Sequence, residues 1–334
     1  MACAAVARRL RCGCPPCAER GVAANLLSPV LLALLTFLLG AALSQVSLCA
    51  VAAVQQWVVT GQAVGMHRLL VAASSAGVVL LVLSRCLPET ALLPRDLPIN
   101  VSLVLGSVLL GIGALLNGAC YLGSVLYLGS GNMNFLFTLI GLGLGMRCSA
   151  LAGAVAAAAS SQPVTLTRPL WWAGLVTYAL IITLSLWLTR ARRAVIWPLC
   201  TGLFAALVYA CRPGWSYGQL IDSLAQADWR GMTRLANGAA LALFAGAIAG
   251  SIYTGRWHWQ WPGSLRALRC LSGGALMGMG AAYIPGGNDM LLLWSIPGLA
   301  PYGAVAYLIM MATLAALLYG AEIWRHRSRQ ALKL

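Results

Sequence analysis

The chain has 334 residues, 60% of them hydrophobic and only 9% charged, with a net charge of +15. A soluble domain carries about a quarter charged residues, so this composition excludes a soluble enzyme or a nucleic-acid-binding protein with an ordinary polar surface. Lys333 is the sole lysine, which excludes a Walker-type phosphate loop and any ATP-hydrolysing domain within the chain.

Residues 1–25 form a separate unit in which Arg8, Arg9, Arg11 and Arg20 surround Cys12, Cys14 and Cys17. That cysteine spacing could hold a metal, but Pro15 and Pro16 interrupt it and no histidine is near. The stretch therefore reads as a disordered leader, and no metal or cofactor is expected. It lacks the continuous apolar region and small-residue cleavage site of a signal peptide. Apolar runs follow at 26–49, 69–84, 98–118, 134–158, 169–189, 194–211, 235–254, 266–284 and 302–321. A hydrocarbon core about 30 Å thick needs about 20 apolar residues per crossing, so these are nine candidate spans of an all-α polytopic membrane protein. The stretches 119–133 and 285–300 are apolar enough for membrane depth but are interrupted by Gly, Asn and Pro. Irregular backbone survives there only when protein or a cavity surrounds it, which makes them the expected seat of function. A basic tail, 322–334, follows. Arginine counting leaves orientation open: Arg147 aside, 11 basic residues fall on one side and 10 on the other, and only the tail cluster favours an inward C-terminus. The basic excess can serve anionic headgroups or gather an anionic substrate.

Sliding the sequence against itself by 167 positions lays Gly106, Gly111 and Gly113 on Gly273, Gly278 and Gly280, and brings Asn117-Gly118-Ala119-Cys120 near Pro285-Gly286-Gly287-Asn288. Glycines at such spacing also serve plain helix packing. The shared order of helix, break and helix implies a duplication: 26–167 as one repeat, 193–321 as the other, and 168–192 as a linking span. Four spans plus the linker place an odd number between repeat starts, so the halves are expected to be inverted. Inverted repeats with interrupted helices point to a transport site near the midplane, where unpaired N–H groups of resumed half-helices suit an anion.

The blocks Gly111-Ile-Gly-Ala-Leu-Leu-Asn-Gly-Ala-Cys120-Tyr-Leu-Gly and Leu128-Gly-Ser-Gly131, with Arg269-Cys-Leu-Ser-Gly-Gly-Ala-Leu-Met-Gly-Met-Gly280 and Pro285-Gly-Gly-Asn288, resemble the YeeE/YedE sulfur-transport family. The resemblance implies a permease for thiosulfate or a related ion, in which thiols along a central path pass the substrate on. It places Cys120 at the family's first-repeat break and Cys49 at its upstream cysteine. The second-repeat motif usually reads Pro-Gly-Cys-Asn, whereas this chain has Gly287, so the symmetric thiol pair is missing. Restoring it with Gly287→Cys is expected to raise thiosulfate uptake, or at least to do no harm.

The candidate site is accordingly Cys120, Cys49 and Cys270, with Asn117, Gly118, Gly286, Gly287 and Asn288 at the breaks, plus Asp289 and Arg147. Each has a plain alternative: a buried Cys is often only a small hydrophobe, Asp289 can cap a helix, and Arg147 can snorkel to an interface. Asp289 is the one acid outside loops and termini, a costly placement in a membrane that could couple proton movement. The function expected is an inner-membrane permease, not an enzyme, for a small sulfur-containing anion. The lipid bilayer is its surroundings and a small sulfur-carrier protein a candidate partner. A non-catalytic membrane subunit is one alternative. A membrane thiol oxidoreductase is another, although Cys14 and Cys17 alone show the Cys-x-x-Cys spacing it would use.

Overall fold

A computed structural model describes residues 15–86, 93–151, 162–164, 166–188, 193–226, 235–284 and 286–331. Cys12 and Cys14 of the expected leader lie outside them. The first helix, α1 (Pro15–Gln45), begins inside that leader and ends in a short link, after which α2 (Ala50–Thr60) and α3 (Val64–Cys86) follow. The third and fourth apolar runs give α4 (Val101–Asn117), a short α5 (Tyr121–Gly129) and α6 (Asn134–Leu151). The linking span is α7 (Arg168–Leu188). Then come α8 (Arg193–Cys211), a short α9 (Gly218–Ala225), α10 (Leu235–Tyr253) and α11 (Ser264–Tyr283). A turn of α-helix, α12 (Asn288–Met290), continues into a π-helical turn (Leu291–Ser295), and α13 (Pro301–Ala331) runs on into the basic tail. The one sheet among the described residues pairs β1 (Arg95–Asp96) with β2 (Gln162–Pro163), antiparallel.

Among the described residues, each of the nine apolar runs contributes a helix. Seven helical segments among the described residues are long and apolar enough to cross a membrane, and α10 adds a shorter apolar stretch. The chain is a multi-pass membrane protein. Its exterior is apolar in the way lipid requires: Trp187, Tyr253, Leu180 and Trp261 are among the most exposed side chains. The linker α7 buries only Gly174, Tyr178 and Ser185 and packs along α3.

Inside, α1 runs along α10 and α3 along α8, while α6 runs along α11 and α13 along α4. The centre is α4 against α11, and there the glycine spacing has its structural reason. A Cβ on Gly113 would lie 2.7 Å from the Gly273 carbonyl oxygen, and one on Gly280 would lie 2.7 Å from that of Gly106. The two glycine runs that align in sequence therefore face each other antiparallel, backbone to backbone. Helices in lipid gain no hydrophobic drive to associate, so such close approach, with its van der Waals contact, carries much of the association.

Candidate functional site

Both interruptions expected from sequence are real breaks. At the first, α4 ends on Gly118, whose φ of 76° lies in the left-handed region open to glycine. Asn117 fixes the turn. Its amide donates to the Ala119 carbonyl (2.8 Å) and the Ser124 hydroxyl (3.0 Å), and its carbonyl accepts from Thr138 (2.6 Å). With both N–H groups and its carbonyl bonded, Asn117 holds the break. At the second, α11 stops at Ile284, Gly286 takes a φ of 79°, and Gly287 precedes Asn288 in extended backbone. Pro285 lies outside the described residues.

Two further interruptions were not expected. One separates α1 from α2 at 46–49, and the other separates α8 from α9 at 212–217. All four helix starts that follow a break converge. Cys49 caps α2 and Cys120 caps α5, and each sulfur accepts hydrogen bonds from the other's helix start. The Ala50 N–H donates to the Cys120 sulfur (3.3 Å), the Cys120 N–H donates to the Cys49 sulfur (3.4 Å), and the Gly123 N–H adds a second bond to Cys120 (3.4 Å). Both thiols are free and buried. A thiol pair thus exists after all, but within the first half rather than across the halves.

The second half meets this pair through Asn288, whose side chain lies against the Cys120 thiol. It also does so through Tyr217, whose hydroxyl donates to the Tyr121 carbonyl (2.7 Å), with the two rings 4.5 Å apart. The Asp289 carboxylate accepts from the Ser216 hydroxyl (3.0 Å). Ser216 lies 167 positions after Cys49, and Gly287 the same distance after Cys120. A hydroxyl therefore stands where one thiol would recur, and glycine stands for the other. The space a side chain at 287 would use is filled: a Cβ there would meet the Tyr121 ring at 2.6 Å. This overturns the expectation that Gly287→Cys is harmless.

Several buried polar atoms gathered here have no hydrogen-bond partner: Asn288 Oδ1, Asp289 Oδ1 and the Tyr121 hydroxyl. The Tyr307 hydroxyl, from α13, is likewise unpartnered and lies within electrostatic reach of both thiols. Buried polar groups are normally satisfied, so this concentration marks a place with room for a polar guest. Two cavities approach it. One, of about 390 Å³, is lined by Tyr121, Ser216, Asp222, Gly286 and Met290. The other, of about 300 Å³, opens at the α1–α2 link beside Ser44, Ser47, Tyr127, Ser130, Ser251 and Arg256.

The remaining candidates stand apart. Cys270 is buried in α11 with its thiol 3.9 Å from the Asn117 carbonyl, so it touches the outside of the first break and not the thiol pair. Arg147 is exposed and lines an apolar groove on the outer face with Leu144, Leu220 and Ile248. It does not pair with Asp289. Among the described residues no group of three His, Cys, Asp or Glu could hold a metal ion. Sequence reasoning missed Tyr121, Ser216, Tyr217 and Tyr307. Pro213-Gly214 ahead of Ser216, at the offset already seen, is the signal that could have found one of them.

No curated protein matches the chain. The family model described as sulphur transport matches residues 45–197, from the α1–α2 link to the start of α8, and takes in Cys49, Asn117, Gly118 and Cys120. That stretch is a sulphur-transport domain of the YeeE/YedE family.

Proposed function

We propose that the chain is a permease of the bacterial inner membrane for a small sulfur-containing anion such as thiosulfate. The anion passes between the Cys49–Cys120 pair on one side and Asn288, Tyr121 and Asp289 on the other. The observation that carries this reading is the cluster of unpartnered buried polar atoms beside two sulfur atoms at the meeting of four helix breaks. Thiols offer weak, polarisable contacts, and the N–H groups at the helix starts carry positive partial charge. Together they can hold an anion without trapping it.

The two halves, in this reading, are inverted repeats spanning 26–167 and 193–321, with α10 and α11 completing nine spans. The packing supports it. Exchanging each helix of one half for its counterpart turns the α1–α10 pair into α8–α3 and the α6–α11 pair into α13–α4, and both partners of each exchange occur. The two cavities are then the approaches from opposite faces. Arg256, whose guanidinium donates to the Ser44 carbonyl (3.1 Å), gives the α1–α2 approach a positive lining. A sulfur-carrier protein would take delivery on one face.

Uptake of labelled thiosulfate into vesicles carrying the purified chain tests the reading. Saturable uptake, competed by sulfite or sulfide and absent from empty vesicles, is expected. Vesicles no more permeable than empty ones to any of these ions would overturn it.

A further inference from the structure

Asp289 differs from every other group at the site. It is 94% buried, being 6% exposed, and Ser216 is its one hydrogen-bond donor among the described side chains. Its Oδ1 has no partner, and no ion pair joins it to a cation among the described residues. A carboxylate at membrane depth with no cation beside it is costly even where the backbone N–H groups of Gly287, Asp289 and Met290 are near, and it faces the place where an anion must pass. A site that repels its own substrate needs a way to lose that charge.

The surroundings supply one. On the α8–α9 link Asp289 faces Ser216, from α5 it faces Tyr121, from α8 Tyr209, and beside α9 Tyr217. These are hydroxyl groups, able to carry a proton but not to neutralise a charge. Tyr121 and Ser216 also line the 390 Å³ cavity together with Asp222, which is partly exposed. Ser216, which donates to Asp289, thus lines the same cavity as the accessible carboxylate of Asp222.

We infer that Asp289 is a proton-binding site that couples anion movement to proton movement: it takes a proton from water in the Asp222 cavity when the anion occupies the site, and releases it when the anion leaves. The inference rests on the permease reading above. Only the O–H bond on Asp289 forms and breaks: water of the Asp222 cavity supplies the proton on one face, and water reached through the cavity beside Arg256 accepts it on the other. Its thermodynamics are reciprocal: an anion near Asp289 favours the protonated carboxyl, and by linkage the protonated carboxyl favours the anion to the same extent. Anion and proton therefore travel together.

The test uses purified full-length protein in liposomes with a trapped pH dye and labelled thiosulfate outside. Interior acidification is expected to accompany uptake, and an outside pH one unit lower should raise accumulation, by up to about tenfold per proton coupled. In Asp289→Asn, whatever uptake is left is expected to ignore the pH gradient and to carry no acidification. Three outcomes separate the claims. Parent protein that moves no thiosulfate sinks the permease reading. Parent protein that moves thiosulfate without acidification and without response to the gradient leaves the permease standing and overturns the coupling. Gradient-driven accumulation retained in Asp289→Asn overturns the role of Asp289. If that variant does not fold, the dye measurement on the parent still decides whether protons move.

Discussion

The breaks of the first half and those of the second occupy one frame but treat their polar groups differently. In the first half Cys49 and Cys120 close on each other's backbone N–H groups, and Asn117 spends its amide on the turn. In the second half Asn288 and Asp289 each keep an oxygen without a partner. The first side presents two sulfur atoms whose hydrogen bonds are made within it. The second is unfinished, and its Asn288 lies against the Cys120 thiol. A duplicated frame has thus become two unlike walls: one soft and fixed, the other polar and open to a guest or a proton.

The largest effect should come from the shared frame itself. Gly273→Leu would drive a side chain into the α4 backbone, where even a Cβ would lie 2.7 Å from the Gly113 carbonyl oxygen. Overpacking of this kind costs about 1–3 kcal/mol or more, and a marked fall in thermal midpoint in detergent, with loss of folded yield, is expected. A variant as stable as the parent would show that the glycine contact is not what joins the halves.

Next is the attempt to make the two walls alike. Gly287→Cys meets the Tyr121 ring, so folded yield or uptake should fall. Adding Tyr121→Ala should recover part of the loss by opening the space. Full activity in the single variant would mean that Tyr121 yields readily and does not shape the wall.

The fixed wall is sharpened by Cys120→Ser and Cys120→Ala. Serine keeps an acceptor for the Ala50 and Gly123 N–H groups, whereas alanine leaves both unpaired, at a cost of about 1–3 kcal/mol for each buried donor. Melting curves should therefore place serine close to the parent and alanine well below it. The smallest effect is expected outside both walls: Arg147→Gln, in the outer groove, should change uptake by less than about twofold.

Much of the frame was legible because a bilayer leaves few options. Apolar runs of the right length had to be helices, and Gly, Asn and Pro in 119–133 and 285–300 marked two breaks, at which Gly118 and Gly286 take left-handed backbone. The other two breaks were hidden for a physical reason. The apolar run 26–49 carries on past the end of α1 at Gln45 and through the link, so hydropathy alone shows no break at 46–49. Pairing across the fold was also out of reach: 71 residues separate Cys49 from Cys120, and periodicity says nothing about which helix starts will meet. Asp289 could be singled out by its charge, whereas Tyr121 and Tyr307 could not, since a tyrosine in an apolar helix looks the same whether or not its hydroxyl has a partner. Arg147 was drawn in by its position in an apolar run and proved to face outward.

The central claim, that sulfur of the first wall touches the passing ion, is tested most directly by initial rates of labelled thiosulfate uptake into vesicles. These would carry equal amounts of folded parent, Cys120→Ser and, as controls away from the site, Cys200→Ala and Cys211→Ala. Cys120→Ser, which preserves the fold but removes the polarisable sulfur, is expected to slow uptake several-fold while both controls match the parent. A Cys120→Ser protein that transports as fast as the parent would contradict it.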